Sequence, residues 1–374
     1  MSLMKEDWVI RRKCLRIENL KDIEMAKEGL TYDKMNTSLV ISGKPWSLCI
    51  GAGCSWPIFP SWNDLAASLA KRFGATDNVC KLLKKKFSPD VIIQSAFEKS
   101  KLSSKDFAIL LGNELYEKFF EGLSNQEKKE LARCVTEQTP INNLDWGRLI
   151  NRVTSFGYST SNELAKIVTE SFFNNAGPEA ILSFNAELLL CSLINAHAHV
   201  DFGKHLKFMD YVTEPITSRY KDRLHYIFCH GVVQVPFSPV AAQRRFNVYD
   251  KLVFSENEYL QLANSSFAWQ SNSFFNILTT NTVFFVGLSF TDPNIRRWLS
   301  WIHACKMESL EKMGKKVDST SHYWIEKTPD NSALKKWYES SVAHLGIRII
   351  WIEEWEELPR VLRKAVHLET LPGV

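Results

Sequence analysis

The sequence predicts an α/β fold, a Rossmann-like parallel sheet covered by helices on both faces, with a large, mostly helical insertion. Three observations carry that expectation. From Ala180 onward, short apolar runs of about four to eight residues alternate with helical patterns, as strands buried on both faces do. Near the start, the run Trp46-Ser47-Leu48-Cys49-Ile50 ends abruptly in Gly51-Ala52-Gly53-Cys54-Ser55, and Ser61-Trp62-Asn63-Asp64-Leu65 then opens a capped helix. Between about Ala75 and Asn175 the strand signal gives way to helical spacing.

Taken in order, residues 1–44 carry mixed charge and a predicted helix around Asn19 to Glu28, and form an N-terminal arm or cap. Residues 45–75 and 176–374 make the Rossmann-type domain, and 76–175 the helical insertion. Within the insertion, Phe107, Leu110, Leu111, Leu115, Phe119 and Phe120 recur at helical spacing over Asp106 to Glu121. Thr160-Ser161-Asn162-Glu163 reads as a capping box opening a helix that Gly177-Pro178 ends. These residues are expected to be mostly scaffold. Downstream, strands are predicted at Ile181–Phe184, Leu224–Cys229, Thr282–Gly287, His322–Ile325 and Ile347–Ile352. Helices are predicted at Glu187–His199, Glu256–Leu278, Pro293–Cys305 and Ser332–His344, with a last one from Glu353.

Composition narrows the class. Hydrophobic residues at 45% and charged residues at 24% are ordinary for a globular chain with a substantial core. No apolar run is as long as a membrane span and the first residues lack a signal-peptide segment, so no membrane association and a cytoplasmic location are expected. The eight cysteines are scattered without a Cys-x-x-Cys pair, which argues against a zinc ribbon and against a disulfide framework. Twelve tryptophans suit either a partner interface or a large core. His197 and His199 are two positions apart on a helix and point apart, and with His205 they complete no metal site. Lys81, Lys84, Lys85 and Lys86, and the shorter Lys315-Lys316, read as solvated faces, because no groove-reading motif accompanies the net charge of +4.

In an open parallel sheet, ligands sit beyond the carboxyl ends of strands, so the residues just after each apolar run are the ones to read. They are Gly51-Ala52-Gly53-Cys54-Ser55, Asn185-Ala186-Glu187, His230-Gly231 and Gly287-Leu288-Ser289. Glycines in the first loop let backbone amides approach a phosphate, and the following helix start favours an anion. The dehydrogenase fingerprint fails, however, because its third glycine would fall at Trp56. Asn185 and Asp292 also read as simple helix caps, the latter with Pro293 at the first helical position.

The order G-A-G-x-S, an asparagine with an acid two positions on, His-Gly and Gly-x-Ser resembles the sirtuin family. It resembles more closely a bacterial sirtuin-like branch of NAD+ hydrolases that act as anti-phage defence effectors. Pro60-Ser61-Trp62-Asn63-Asp64-Leu65, Val253-Phe254-Ser255-Glu256-Asn257-Glu258-Tyr259 and Val286-Gly287-Leu288-Ser289-Phe290-Thr291-Asp292-Pro293-Asn294-Ile295-Arg296-Arg297 carry that likeness. It covers about residues 45–73 and 178–305. Three departures stand out: a glycine missing before Pro60, Glu187 where the family has aspartate, and the absence of the four zinc cysteines of protein-deacylating sirtuins.

The resemblance implies an NAD+ pocket, with NAD+ as substrate and no zinc. Gly51, Ala52, Gly53 and Ser55 would cradle the pyrophosphate, and Gly287 and Ser289 would sit under the adenosine half, with Glu187 and Asp292 near the dinucleotide. Asn185 would orient the nicotinamide ribose and a water, and His230 would act as general base. It further implies a glycohydrolase releasing nicotinamide and ADP-ribose, the toxic effector of an abortive-infection system. Control would come from assembly, an oligomer being expected, or from a regulatory partner of the same operon. By analogy that partner is a HerA-type ATPase, a short Argonaute or a nucleotide-binding enzyme. The alternatives are a module that binds NAD+ or ADP-ribose without turnover and, after it, a deacylase; a nuclease is disfavoured because no clustered carboxylates stand out.

Overall fold

The computed structural model describes residues 28–35, 39–40, 45–137, 144–205, 207–214, 222–239, 252–265, 268–314 and 320–368. Their centre is a seven-stranded, all-parallel sheet. Its strands are β1 (Trp46–Ile50), β2 (Ala180–Ser183), β3 (Met209–Val212), β4 (Leu224–Phe228), β5 (Thr282–Val286), β6 (His322–Lys327) and β7 (Ile347–Ile352), in the spatial order β3-β4-β2-β1-β5-β6-β7. The chain builds β2, β3 and β4 to one side of β1 and then crosses back to β5 on the other. That reversal beside β1 is a topological switch point, where such sheets leave a crevice.

The strands are apolar almost throughout because both faces are covered. Alternate residues go to opposite sides: Leu48, Ile50, Phe284 and Val286 join one core, and Cys49, Val283 and Phe285 join the other. All seven are fully buried, and burying each large apolar side chain stabilises the fold by roughly 1.5–3 kcal/mol.

Among the described residues, seven α-helices lie between β1 and β2: α1 (Trp62–Arg72), α2 (Asp77–Lys86), α3 (Pro89–Ser100), α4 (Ser104–Phe120), α5 (Asn125–Thr136), α6 (Trp146–Thr154) and α7 (Thr160–Phe173). Their apolar faces share one core with the first face of the sheet and with α8 (Leu189–Val200). The second face is covered by α9 (Glu256–Asn264), α10 (Trp269–Thr280), α11 (Pro293–Lys312) and α12 (Ser332–Ala343). The last helix, α13 (Leu358–Ala365), returns to the first face.

Several boundaries differ from the sequence reading. The helix expected over Glu256–Leu278 is two helices, with extended backbone at Ser265 ending α9; Asn264 and Ser265, weak helix formers, stand at the break. The edge strand β3 was not foreseen, since its four residues include Asp210 and are too short to show alternation. The cap of α7 is Ser159, whose hydroxyl accepts the Asn162 amide, one residue before the expected box. After β7 a short 3-10 turn over Trp355–Glu357 precedes α13. Of the N-terminal arm, Leu30 pairs in parallel with Ile350 and covers the open edge of β7. The helix expected from Asn19, before Glu28, and the Lys315-Lys316 pair lie outside the described residues.

Candidate active site at the carboxyl edge of the sheet

The four strand ends singled out in the sequence belong to β4, β2, β1 and β5, which are consecutive neighbours in the sheet. Their register places Phe228, Ser183, Ile50 and Val286 in one row. The residues that follow therefore leave the sheet side by side.

At the switch point the two glycine loops touch backbone to backbone. Gly287 adopts φ +68°, and a Cβ there would lie 2.4 Å from the Cys54 nitrogen. A Cβ on Gly53 would lie 2.9 Å from the Gly287 Cα. Glycine is required by this approach as well as by the left-handed backbone. The Gly51 amide donates to the Val286 carbonyl at 3.1 Å, the Gly53 amide to Gly287 at 3.0 Å and the Cys54 amide to Gly51 at 3.0 Å. The first two bonds hold the loop after β1 to the end of β5, and the third closes the loop on itself.

Beside this junction is a small, open pocket, lined among others by Ser55, Trp62, Leu115, Asn185, Glu187 and Phe254. Ser61 sets one wall: its hydroxyl accepts the Asp64 amide at 3.2 Å, starting α1 so that Trp62 turns inward. Another part of the lining is a hydrogen-bonded cluster. Ser55 Oγ donates to Glu187 Oε1 at 2.5 Å, Asn185 Nδ2 donates to the same oxygen at 3.0 Å, and the Leu189 amide donates to Glu187 Oε2 at 2.5 Å. Asn185 Nδ2 also reaches Ser55 Oγ at 3.4 Å. Every donor points at the carboxylate, and among the described residues no cation pairs with it. Burial pushes the Glu187 carboxyl up, against the pull of Ser55, Leu189 and Asn185. With its amide hydrogens used in this way, Asn185 is left with a buried Oδ1 that has no hydrogen-bond partner among the described residues.

His230 stands two residues beyond β4 in an aromatic frame. Its ring is edge-on to Phe184 at 5.0 Å, Tyr259 at 5.3 Å and Trp62 at 6.3 Å. Neither ring nitrogen completes a hydrogen bond of full geometry. Burial pushes the imidazole down to about 3, only partly opposed by the Phe184 carbonyl, so the ring is neutral near pH 7. Asp292 Oδ2 lies 3.9 Å from His230 Nε2. The other oxygen of Asp292 caps α11, accepting the Asn294 amide at 2.7 Å and the Ile295 amide at 3.4 Å. Burial raises the Asp292 carboxyl, and those two amides oppose the rise.

The structure thus brings Ala52, Ser55, Asn185 and Glu187 into one pocket. It sets His230 and Asp292 next to each other, joined to the pocket through Trp62, which lines it. Gly51, Gly53 and Gly287 form the junction of the two glycine loops and do not line the pocket. Ser289 is exposed and pairs with Thr291 at 2.8 Å. Ser55 directs its hydroxyl at Glu187, a pairing across 132 residues that has no local signal. The sequence reading also passed over Tyr259, Phe254 and two residues of the helical stretch, Tyr116 and Ser161. Only Phe254 and Tyr259 had a signal, since both sit in the quoted segment around Ser255.

Of the three histidines weighed as metal ligands, His197 bonds Asp201 at 2.7 Å and Asn162 at 3.0 Å, and His199 meets His205 at 2.9 Å.

Residues 196–350 match the SIR2-like domain family. That stretch holds His230, Gly287, Ser289 and Asp292 and all strands from β3 into β7. The SIR2-like match begins after Asn185 and Glu187, whose place beside it comes from the geometry above. The match makes this stretch similar to SIR2-like domains. No curated protein matches the sequence. Among the described residues no helix is long and apolar enough to cross a membrane, and no group of three or more His, Cys, Asp or Glu is arranged to hold a metal ion.

Proposed function

We propose that the chain is an NAD+ glycohydrolase that cleaves NAD+ to nicotinamide and ADP-ribose. One observation carries the reading: Glu187 is a buried carboxylate in a pocket wall, without a cationic partner among the described residues, beside the free Oδ1 of Asn185. A buried anion without a counter-charge is costly, and a ligand bearing positive charge offsets that cost. NAD+ brings a pyridinium, and breaking its glycosidic bond spreads positive charge onto the ribose.

In this reading the C1′–N bond breaks and its electron pair leaves with nicotinamide. Glu187 stabilises the cationic sugar, and Asn185 Oδ1 holds the attacking water by accepting one of its hydrogens. Neutral His230 takes the proton that water loses on bonding to C1′ and passes it to solvent. The products are ADP-ribose, nicotinamide and one proton.

A second reading, a module that holds NAD+ or ADP-ribose without turnover, draws on the internal use of the Gly51, Gly53 and Cys54 amides, which are not open to a diphosphate in this conformation. Incubating the purified chain with NAD+ and following nicotinamide separates the two. Release that is lost in Asn185→Ala and His230→Ala supports hydrolysis; tight binding without nicotinamide supports the module. We place the enzyme in a bacterial anti-phage system, as an effector activated by an operon-encoded partner or by assembly. Its motif likeness to defence effectors supports this, and growth arrest on co-expression with its neighbours during phage infection tests it.

A further inference from the structure

We infer that the helical stretch between β1 and β2 completes the active site, with Tyr116 of α4 and Ser161 of α7 acting as positioning residues for the Glu187 cluster. The inference rests on the glycohydrolase reading and adds to it residues outside the SIR2-like match.

Tyr116 is fully buried, and its hydroxyl accepts the Leu188 amide at 3.0 Å. Glu187 itself accepts the next amide, that of Leu189. The turn bearing the carboxylate is therefore held through two successive amides, one of them bound by α4. Packing fixes the phenol, which lies edge-on to Phe59 at 4.9 Å, and Phe59 is a pocket residue. Burial, reinforced by the nearby Glu187 charge, pushes the phenol up and keeps it neutral.

Ser161 holds the other loop. It is fully buried, donates to the Cys54 carbonyl at 2.8 Å and lies 3.4 Å from Ser55 Oγ. Ser55 in turn donates to Glu187. The glycine loop and the acidic cluster are thus tied through one side chain of α7.

The seating of α4 is equally specific. A Cβ on Gly112 would lie 2.3 Å from the Gln234 carbonyl oxygen, so α4 lies directly against the loop that follows His230. Leu115, on the same helix, lines the pocket. One helix therefore touches the loops after β2 and β4 and the pocket between them. Buried polar contacts of this kind specify a geometry that an apolar contact of equal area would leave loose, and a displacement of about 1 Å at a reacting centre costs on the order of 100-fold in rate.

The test uses the full chain with Tyr116→Phe and Ser161→Ala, each also combined with Glu187→Gln. Expected are a fall in kcat of about 10-fold for each single variant and a change in KM of less than about threefold. Amide hydrogen exchange over residues 184–190 should be faster in Tyr116→Phe. In the Glu187→Gln background, either substitution should add little further loss, because both act through that carboxylate. Unchanged kcat in both variants, or full additivity with Glu187→Gln, overturns the inference even if melting temperatures fall. If the wild type leaves NAD+ intact, the hydrolase reading fails by itself. The same variants are then compared by calorimetry with NAD+, where unchanged affinity, or no binding by the wild type, overturns the inference.

Discussion

Glu187 Oε1 accepts a hydrogen bond from Asn185 Nδ2 at 3.0 Å, and that contact decides which end of the amide faces the pocket. With Nδ2 spent on Glu187 and Ser55, Oδ1 is the atom left for a ligand. Glu187→Gln replaces an acceptor of three hydrogen bonds by a group that must turn two hydrogens toward other donors. It also removes the negative charge that the proposed reaction sets beside the scissile bond. We expect kcat for nicotinamide release to fall by at least about 100-fold, with a normal circular dichroism spectrum. Near wild-type turnover in this variant would remove Glu187 from the mechanism.

Gly287→Ala tests the junction of the two glycine loops. The new methyl group would meet the Cys54 nitrogen at 2.4 Å on a residue with φ +68°, combining a clash with a left-handed backbone. The expected loss is roughly 2–4 kcal/mol, read as a lower urea midpoint at unchanged slope. A midpoint equal to that of the wild type would mean that the loops part without cost.

His230 makes stability depend on pH. In the unfolded chain the imidazole binds a proton below about 6.5, whereas in the fold burial delays protonation to about 3. Between those values the unfolded state holds more protons, so stability falls as pH drops from 6.5 toward 3 and is unaffected by this group above 6.5. The slope approaches about 1.4 kcal/mol per pH unit. The groups around the ring are Trp62, Phe184, Tyr259 and Asp292, with Asp90 and Glu258 acting on Tyr259. Urea unfolding of wild type and His230→Gln from pH 4.5 to 7.5 should give curves that converge as pH falls; parallel curves would refute the assignment.

Asp292 has two duties that substitution can separate. Asparagine caps helices as well as aspartate does, so Asp292→Asn should keep thermal stability within about 0.5 kcal/mol, while Asp292→Ala should lose about 1 kcal/mol. Both remove the charge 3.9 Å from His230 Nε2. If that charge supports the imidazolium formed during hydrolysis, kcat falls in both variants alike by about 10-fold or more. Full activity in Asp292→Asn would leave Asp292 as a cap alone.

Much of the architecture was legible in the sequence because its determinants are local. Apolar runs such as Thr282–Val286 and Ile347–Ile352 announce strands buried on both faces, and Ser61 and Asp292 announce helix starts. The break at Ser265 and the strand Met209–Val212 were less legible, since each rests on a few residues whose conformation is settled by neighbours in the fold. The site shows the same division. Asn185, Glu187 and His230 were readable as strand-end residues. Ser55 as a partner of Glu187, and Tyr116 and Ser161 as part of the same cluster, were not.

The sequence by itself determined a parallel α/β sheet, the four loops at its carboxyl edge and the side chains those loops carry. Only the tertiary structure decided that β4, β2, β1 and β5 are consecutive neighbours, that the amides of the glycine loop bind β5, and that α4 and α7 brace the acidic cluster. The physical reason is range: strand periodicity and caps are encoded within a few residues. A hydrogen bond such as Ser55 to Glu187, or Tyr116 to the Leu188 amide, joins groups 132 or 72 positions apart, and only the packing of whole elements sets their distance.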